Sequence, residues 1–347
     1  MKILITGGTG FIGSHTVVEL LKKDYECVIV DNLSNSDISV VDKIKNITGK
    51  TIDFFQIDLL NIKSLEEVFK KHNFDAVIHF AGLKAVGESI DKPLLYYETN
   101  LLSTINVLKL MEIYNIKKFI FSSSATVYGN SPSPMTENSK TGDGITNPYG
   151  MTKYMIEKIL EDYIKTDKHL RIISLRYFNP VGAHSSGLIG ENPKDNPNNL
   201  MPYVARVAVQ NNTSHYYEKK YNQVNIFGND YNTKDGTGLR DYIHVVDLAE
   251  AHVKAYENIK IGYDFVNLGT GEGTTVLELI KCFEKVNKIN IPYKIVERRP
   301  GDLEEVYCSP KKAKKLLNWE AKKTLEDMCR DVWNFQQKNM PELIIYK

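Results

Sequence analysis

Short apolar runs alternate with longer stretches in which apolar residues recur every three or four positions, and this rhythm holds for the first half of the chain. Lys2–Thr6, Glu26–Val30, Asp53–Ile57, Ala76–Phe80, Lys118–Ser122 and Arg171–Leu175 are compact runs rich in Ile, Val and Phe, the pattern of strands covered on both faces. Ser14–Lys23, Ile62–Lys71, Pro93–Tyr114 and Tyr149–Lys165 carry the helical spacing between them. Strand and helix in this order predict an α/β fold with a Rossmann-type, doubly wound parallel sheet. In such sheets ligands sit at the carboxyl ends of the strands. That rule singles out Asp58-Leu59, Phe80–Lys84, Ser122–Ser124 and Tyr177–Asn179.

The alternation fails after Pro180. Gly187–Asn199 is rich in Gly, Pro, Asn and acids, Asn211–Gln223 is polar with a tyrosine cluster, and Gly228–Gly238 is turn-rich. This predicts a smaller, mixed C-terminal substrate-binding lobe over 181–347, beside a first domain over 1–180. Tyr242–Val246 and Asp264–Asn267 look like short strands through which the chain near 241–267 returns to the first domain. Leu101, Leu102, Ile105, Leu108, Met155 and Ile159 exceed what one sheet-facing stripe on the two long helices requires. They predict a homodimer formed through those helices.

Three motifs carry chemistry. The first strand runs straight into Gly7-Gly8-Thr9-Gly10-Phe11-Ile12-Gly13, and a helix follows. Glycine at positions 7, 10 and 13 lets backbone turn tightly against a pyrophosphate, where free N–H groups at the helix start await an anion. The second strand ends in Asp31-Asn32. A carboxylate at its tip accepts hydrogen bonds from a ribose diol and repels a 2′-phosphate, so NAD is the predicted cofactor. In Asn147-Pro148-Tyr149-Gly150-Met151-Thr152-Lys153, Pro148 suits the first helical turn, and the spacing stacks a phenol over an ammonium. A nearby cation favours the phenolate, which makes Tyr149 a candidate proton acceptor.

Composition narrows the field. The chain of 347 residues is 42% hydrophobic and 25% charged, and its 44 basic and 43 acidic residues leave a net charge of +1. No basic field recommends a nucleic-acid partner. Cys27, Cys282, Cys308 and Cys329 form no Cys-x-x-Cys pair, which argues against a metal site or disulfide framework. No apolar leader precedes the first strand and no run is long enough to span a membrane, so the expectation is a cytoplasmic protein.

Four longer motifs, Phe80–Ser89, Ser122–Gly129, Arg176–His184 and Asp235–His244, resemble the UDP-galactose 4-epimerase family of extended short-chain dehydrogenases/reductases. The resemblance runs from Met1 to about Trp333. It implies that Phe11, Ile12, Asp31, Asn32, Asn35, Asp58, Leu59, Phe80, Ala81, Lys84, Lys153 and Phe178 line an NAD site. It implies further that Asn179, Asn199, Leu200, Asn225, Ile226, Phe227, Arg240, Arg299 and Asp302 hold a UDP-sugar, with Lys84, Ser124 and Tyr149 facing the sugar as well. Arginine suits that role because its planar fork pairs with phosphate oxygens. Two departures stand out: Thr99 replaces a family asparagine at the cofactor, and His215–Gln223 looks like an insertion relative to shorter bacterial members.

The mechanism implied is reversible oxidation at the sugar C4. Tyr149 takes the hydroxyl proton, Ser124 bonds the same oxygen, and Lys153 keeps the tyrosine acidic while hydride moves to and from NAD. Val306 falls where some epimerases carry a tyrosine beside the sugar 2-position, which suggests that N-acetylated UDP-sugars also fit. A 4,6-dehydratase is the rival enzyme, but Ala125-Thr126 follows Ser124 where dehydratases commonly place an Asp-Glu pair. A non-catalytic NAD-sensing regulator is the rival outside enzymes, since fold does not dictate function; it would have no need of Tyr149 and Lys153.

Overall fold

The computed structural model describes residues 1–194, 197, 199–212, 221–299 and 301–343. In chain order β1 (Lys2–Thr6), α1 (Phe11–Lys22), β2 (Glu26–Asp31), α2 (Ser39–Thr48), β3 (Asp53–Gln56), α3 (Ile62–Lys71), β4 (Ala76–His79), α4 (Val86–Asp91), α5 (Pro93–Ile113), β5 (Lys118–Ser124), α6 (Pro148–Tyr163) and β6 (Arg171–Tyr177) continue the predicted alternation. There follow β7 (Asn179–Val181), α7 (Leu200–Asn212), β8 (Val224–Phe227), β9 (Leu239–Arg240), β10 (Tyr242–His244), α8 (Val245–Asn258), β11 (Gly262–Leu268), β12 (Thr274–Thr275), α9 (Val276–Asn287), β13 (Tyr293–Val296), β14 (Glu305–Val306), α10 (Lys311–Leu317) and α11 (Leu325–Leu343).

The main sheet has seven parallel strands in the order β11-β6-β5-β4-β1-β2-β3. Strand order reverses between β1 and β4, so the crevice for a ligand opens at their carboxyl ends. Side chains alternate across the sheet. Ile3 and Ile5 join Val17, Leu20 and Leu248 in the core under α1 and α8. Leu4, Val28 and Val30 join Leu65, Val107 and Ile156 under α3, α5 and α6. Both faces are dry, which is why these strands read as continuous apolar runs.

Several predicted boundaries shift. Helix α1 begins at Phe11 rather than Ser14, β5 continues to Ser124 and β6 to Tyr177. The predicted strand Tyr242–Val246 ends at His244, and α8 starts at once. His244 caps that helix by accepting from Val246 N at 3.1 Å, and Asp247 lies in its first turn, where an acid favours helix. β11 returns to pair with β6 at the sheet edge.

The second lobe has its own core, in which Val204, Val207, Ile226, Ile280, Phe283 and Trp333 meet between α7, α9 and α11. Its small sheets are β8 with β13, and β9 between β12 and β14. Of the residues expected at a dimer contact, Leu102 and Met155 are exposed. Leu101 and Ile159 are partly buried against the sheet core, and Leu108 is 4% exposed within it, so Leu108 is a core residue instead. No helix among the described residues is long and apolar enough to cross a membrane. The insertion at His215–Gln223 falls largely in 213–220, which with 344–347 lies outside the described residues.

Candidate active site

The glycine turn is built by necessity. Gly7 has φ +70°, and a Cβ there would stand 2.7 Å from Ala81 N; at Gly13 it would stand 2.2 Å from the Gly7 carbonyl oxygen. Only hydrogen fits where β1, β4 and α1 converge. No side chain caps α1, so its first N–H groups face the crevice unshared with a cap. Asp31 closes the side of this cradle: Oδ2 accepts from Thr9 N at 3.2 Å, and Oδ1 accepts from Leu33 N at 2.9 Å and Ser36 Oγ at 3.2 Å. Asn32 donates to Asp58 Oδ2 at 3.1 Å. Leu59, Phe80, Ala81 and Phe178 contribute apolar surface around these groups, with Leu59 and Phe178 largely buried; Asn35 is exposed. Backbone N–H groups, an adjacent carboxylate and small apolar walls fit a dinucleotide.

The next group stands at the carboxyl end of β5. Asn147 caps α6 by accepting from Gly150 N at 2.9 Å, with Pro148 at the first helical position. This cap sets Tyr149 in the opening turn. Burial holds the Tyr149 pKa above its ordinary value, partly offset by the neighbouring Ser124 hydroxyl and the Lys84 ammonium. Lys153 is 6% exposed and donates to the Ser122 carbonyl at 2.6 Å. Its Nζ lies 5.9 Å from the Tyr149 ring centre and 4.8 Å from that of Phe121. Burial brings the Lys153 pKa down to about 8, against the opposing charge of Glu157. The phenol, hydroxyl and ammonium foreseen from sequence are therefore brought together, and Lys84 adds a second cation that acts on Tyr149.

Lys84 is held in turn by a residue that sequence reading missed. Its Nζ lies 2.9 Å from Glu191 Oε1, and Asn199 Nδ2 donates to the same oxygen at 3.3 Å. Glu191 sits in the irregular Gly187–Asn199 stretch and has no periodic signal to reveal it. Asn100 was missed as well. It clamps the Leu83 backbone, accepting from N at 2.8 Å and donating to O at 3.0 Å, and donates to Thr152 Oγ1 at 3.0 Å. The neighbouring Thr99 is half-buried.

The second-lobe residues form their own group. The Arg299 guanidinium stacks 3.8 Å from the Phe227 ring centre, and Arg240 Nη2 lies 3.8 Å from Asp302 Oδ1. An arginine stacked on an aromatic face, with a second arginine in the same lobe, suits a nucleoside diphosphate. Asn225 is exposed on β8, whereas Ile226 is 1% exposed in the lobe core, so its side chain is unavailable to a ligand. Leu200 opens α7, and Asn179 opens β7 with its N–H bonded to the Asp241 carbonyl at 2.9 Å. Val306 links the two groups. It pairs with Arg240 across β14 and β9, and packs on a cluster containing Val127, Tyr128 and Phe178.

Comparison with known proteins gives these groups a context. The profile of the NAD dependent epimerase/dehydratase family matches residues 3–269. The UDP-glucose 4-epimerase of Bacillus subtilis (strain 168) is 54% identical over 343 residues, spanning 98% of each chain. The crystal structure of UDP-glucose 4-epimerase from Bifidobacterium longum in complex with NAD+ and UDP is 50% identical, with a TM-score of 0.92 over 98% of this chain and 99% of that one. The Stenotrophomonas maltophila enzyme with bound NAD and formylated UDP-arabinopyranose is 45% identical, with a TM-score of 0.93 over 99% of each. This chain belongs to the NAD dependent epimerase/dehydratase family, and its resemblance within that family is to the UDP-glucose 4-epimerases.

Proposed function

We propose that this protein is an NAD-dependent UDP-glucose 4-epimerase, interconverting UDP-galactose and UDP-glucose by reversible oxidation at the sugar C4. The observation that most supports this is the placement of Tyr149 beside Ser124 at the carboxyl end of β5, with the buried Lys153 ammonium 5.9 Å from the Tyr149 ring centre. The glycine cradle, Asp31 and Lys153 would hold NAD, which when bound supplies a reversible hydride acceptor. Tyr149 as phenolate takes the proton from the sugar 4-hydroxyl, and Ser124 donates to the oxygen as it becomes a carbonyl. Lys84 stabilises the phenolate charge across space. The 4-keto sugar must present its opposite face before Tyr149 returns the proton. Arg240 and Arg299 would anchor the diphosphate meanwhile, so that only the sugar turns.

The dehydratase alternative lacks its catalytic groups here. Thr126 directs both its N–H and its hydroxyl to Ser124 Oγ, at 3.2 and 3.0 Å, and Ala125 has no acid or base to offer. In the cell we read the protein as a cytoplasmic homodimer. The four cysteines are unpaired, and exposed Leu94, Leu102 and Met155 provide apolar surface on α5 and α6. The test is NMR of UDP-galactose incubated with purified protein and no added reductant. UDP-glucose is the expected product; a 4-keto-6-deoxy sugar or unchanged substrate overturns the assignment.

A further inference from the structure

Phe119, Phe121 and Ser123 project from the same face of β5, toward α6, because side chains alternate along a strand. The two phenylalanines are core residues. Ser123, equally dry, donates to Glu157 Oε1 at 2.7 Å. The Glu157 carboxylate also takes the Arg176 fork, from Nε at 2.9 Å and Nη2 at 2.7 Å. Arg176 is fixed between the Tyr128 and Phe265 rings, 4.8 and 4.4 Å from their centres. Glu157 and Arg176 are 1% and 3% exposed. Stability is a weak reason for such a pair, since apolar replacements of buried ion pairs are often neutral or better. Its location supplies a stronger reason. Ser123 adjoins Ser124, and Glu157 lies one helical turn beyond Lys153 on the same face.

We propose, on the basis of the epimerase reading, that Glu157 is a positioning residue for the catalytic pair. Through Ser123 it fixes the strand end bearing Ser124 against α6, and its negative charge lets Lys153 remain an ammonium in a dry site. Burial pulls Lys153 toward neutrality, and the Glu157 carboxylate opposes it. The other groups facing this region are Tyr149 on α6, His79 on β4, Lys84 beyond β4, Arg176 and Tyr177 on β6, Tyr128 after β5, and Tyr263 on β11. His79 is kept neutral by burial, as are the phenols of Tyr128, Tyr177 and Tyr263, whereas Tyr149 is the phenol whose proton moves in the reaction. Glu191 is paired with Lys84, so Glu157 supplies the negative charge that balances Arg176 and Lys153. Removing it while Arg176 stays leaves two cations, so Lys153 must lose its proton at lower pH.

The test compares full-length wild type, Glu157→Gln, and Glu157→Gln/Arg176→Met, the last keeping the core neutral if the single variant does not fold. Each is labelled with 13Cε-lysine, and the Lys153 resonance is assigned with Lys153→Met. The Lys153 titration midpoint is expected to fall by about one pH unit or more in Glu157→Gln, and by less in the double variant. The alkaline limb of kcat should move with it while KM changes little. Unmoved Lys153 titration in the folded variants overturns the proposal. An inactive wild type whose Lys153 still shifts would instead overturn the epimerase reading and leave the charge coupling standing.

Discussion

Lys153 Nζ stands 5.9 Å from the centre of the Tyr149 ring and gives its hydrogen bond to the Ser122 carbonyl. The four-residue spacing places the two side chains on one helical face, as expected. It does not determine where the ammonium points, and a strand-end carbonyl is the nearer acceptor. Lys84, which reaches in from the loop after β4 and is pinned by Glu191, adds a positive charge that offsets part of the rise burial imposes on the Tyr149 pKa. Removing a cation raises the pKa of a phenol. Lys84→Met should therefore move the acid limb of the kcat–pH profile upward by about one unit, and an unmoved limb would return the role to Lys153 alone.

Tyr149→Phe removes the proton acceptor and leaves the ring. The glycine cradle and Asp31 make no hydrogen bond to Tyr149, so cofactor retention should survive. NAD released by denaturing the purified variant should match wild type, while turnover falls by about 10²–10⁴-fold. Undiminished turnover would remove Tyr149 from the mechanism.

The glycine cradle was legible because the backbone there excludes any Cβ, and only one residue type meets that demand. Serines at the end of β5 misled the strand boundary. A polar run signals a loop, yet Ser123 and Ser124 continue the ladder opposite Arg176 and Tyr177, with Ser123 satisfied by Glu157. Helix α8 was hidden for the opposite reason: Val245 and Val246 are β-branched and extend a strand pattern, while the helix is started by a histidine cap. Glu191 lay beyond reach because its partner Lys84 is 107 residues away, in a stretch with no hydrophobic period. Local chemistry was readable, whereas contacts that the tertiary fold alone creates were not.

Four of the buried histidines make acid the weak side of this fold. Burial lowers His15 and His79 to about 3, and His184 and His252 to about 4. The unfolded chain takes these protons near pH 6.5, and the native state refuses them until much lower pH. Above pH 6.5 the difference vanishes; as pH falls toward 4, the unfolded state gains progressively. By pH 5 each histidine costs about 2 kcal/mol. Urea midpoints should therefore drop markedly between pH 7 and pH 5, and equal midpoints would show that these side chains are hydrated or charged in the native protein.

Val306 bears on which sugars are turned over. It is half-buried, paired with Arg240 on one side of β14 and packed toward Phe178 on the other. It thus stands between the group suited to the diphosphate and the wall beside the cofactor cradle. A valine here leaves space that a tyrosine ring would fill, and steric exclusion of this kind commonly changes discrimination by about 10–200-fold. Wild type should epimerise both UDP-GlcNAc/UDP-GalNAc and UDP-galactose/UDP-glucose. Val306→Tyr should lose the acetylated pair by at least about 10-fold while largely keeping the other. Coupled assays on both pairs decide it: a wild type inactive toward the acetylated sugars means that Val306 serves the Phe178 cluster as packing and leaves the sugar 2-position to other residues.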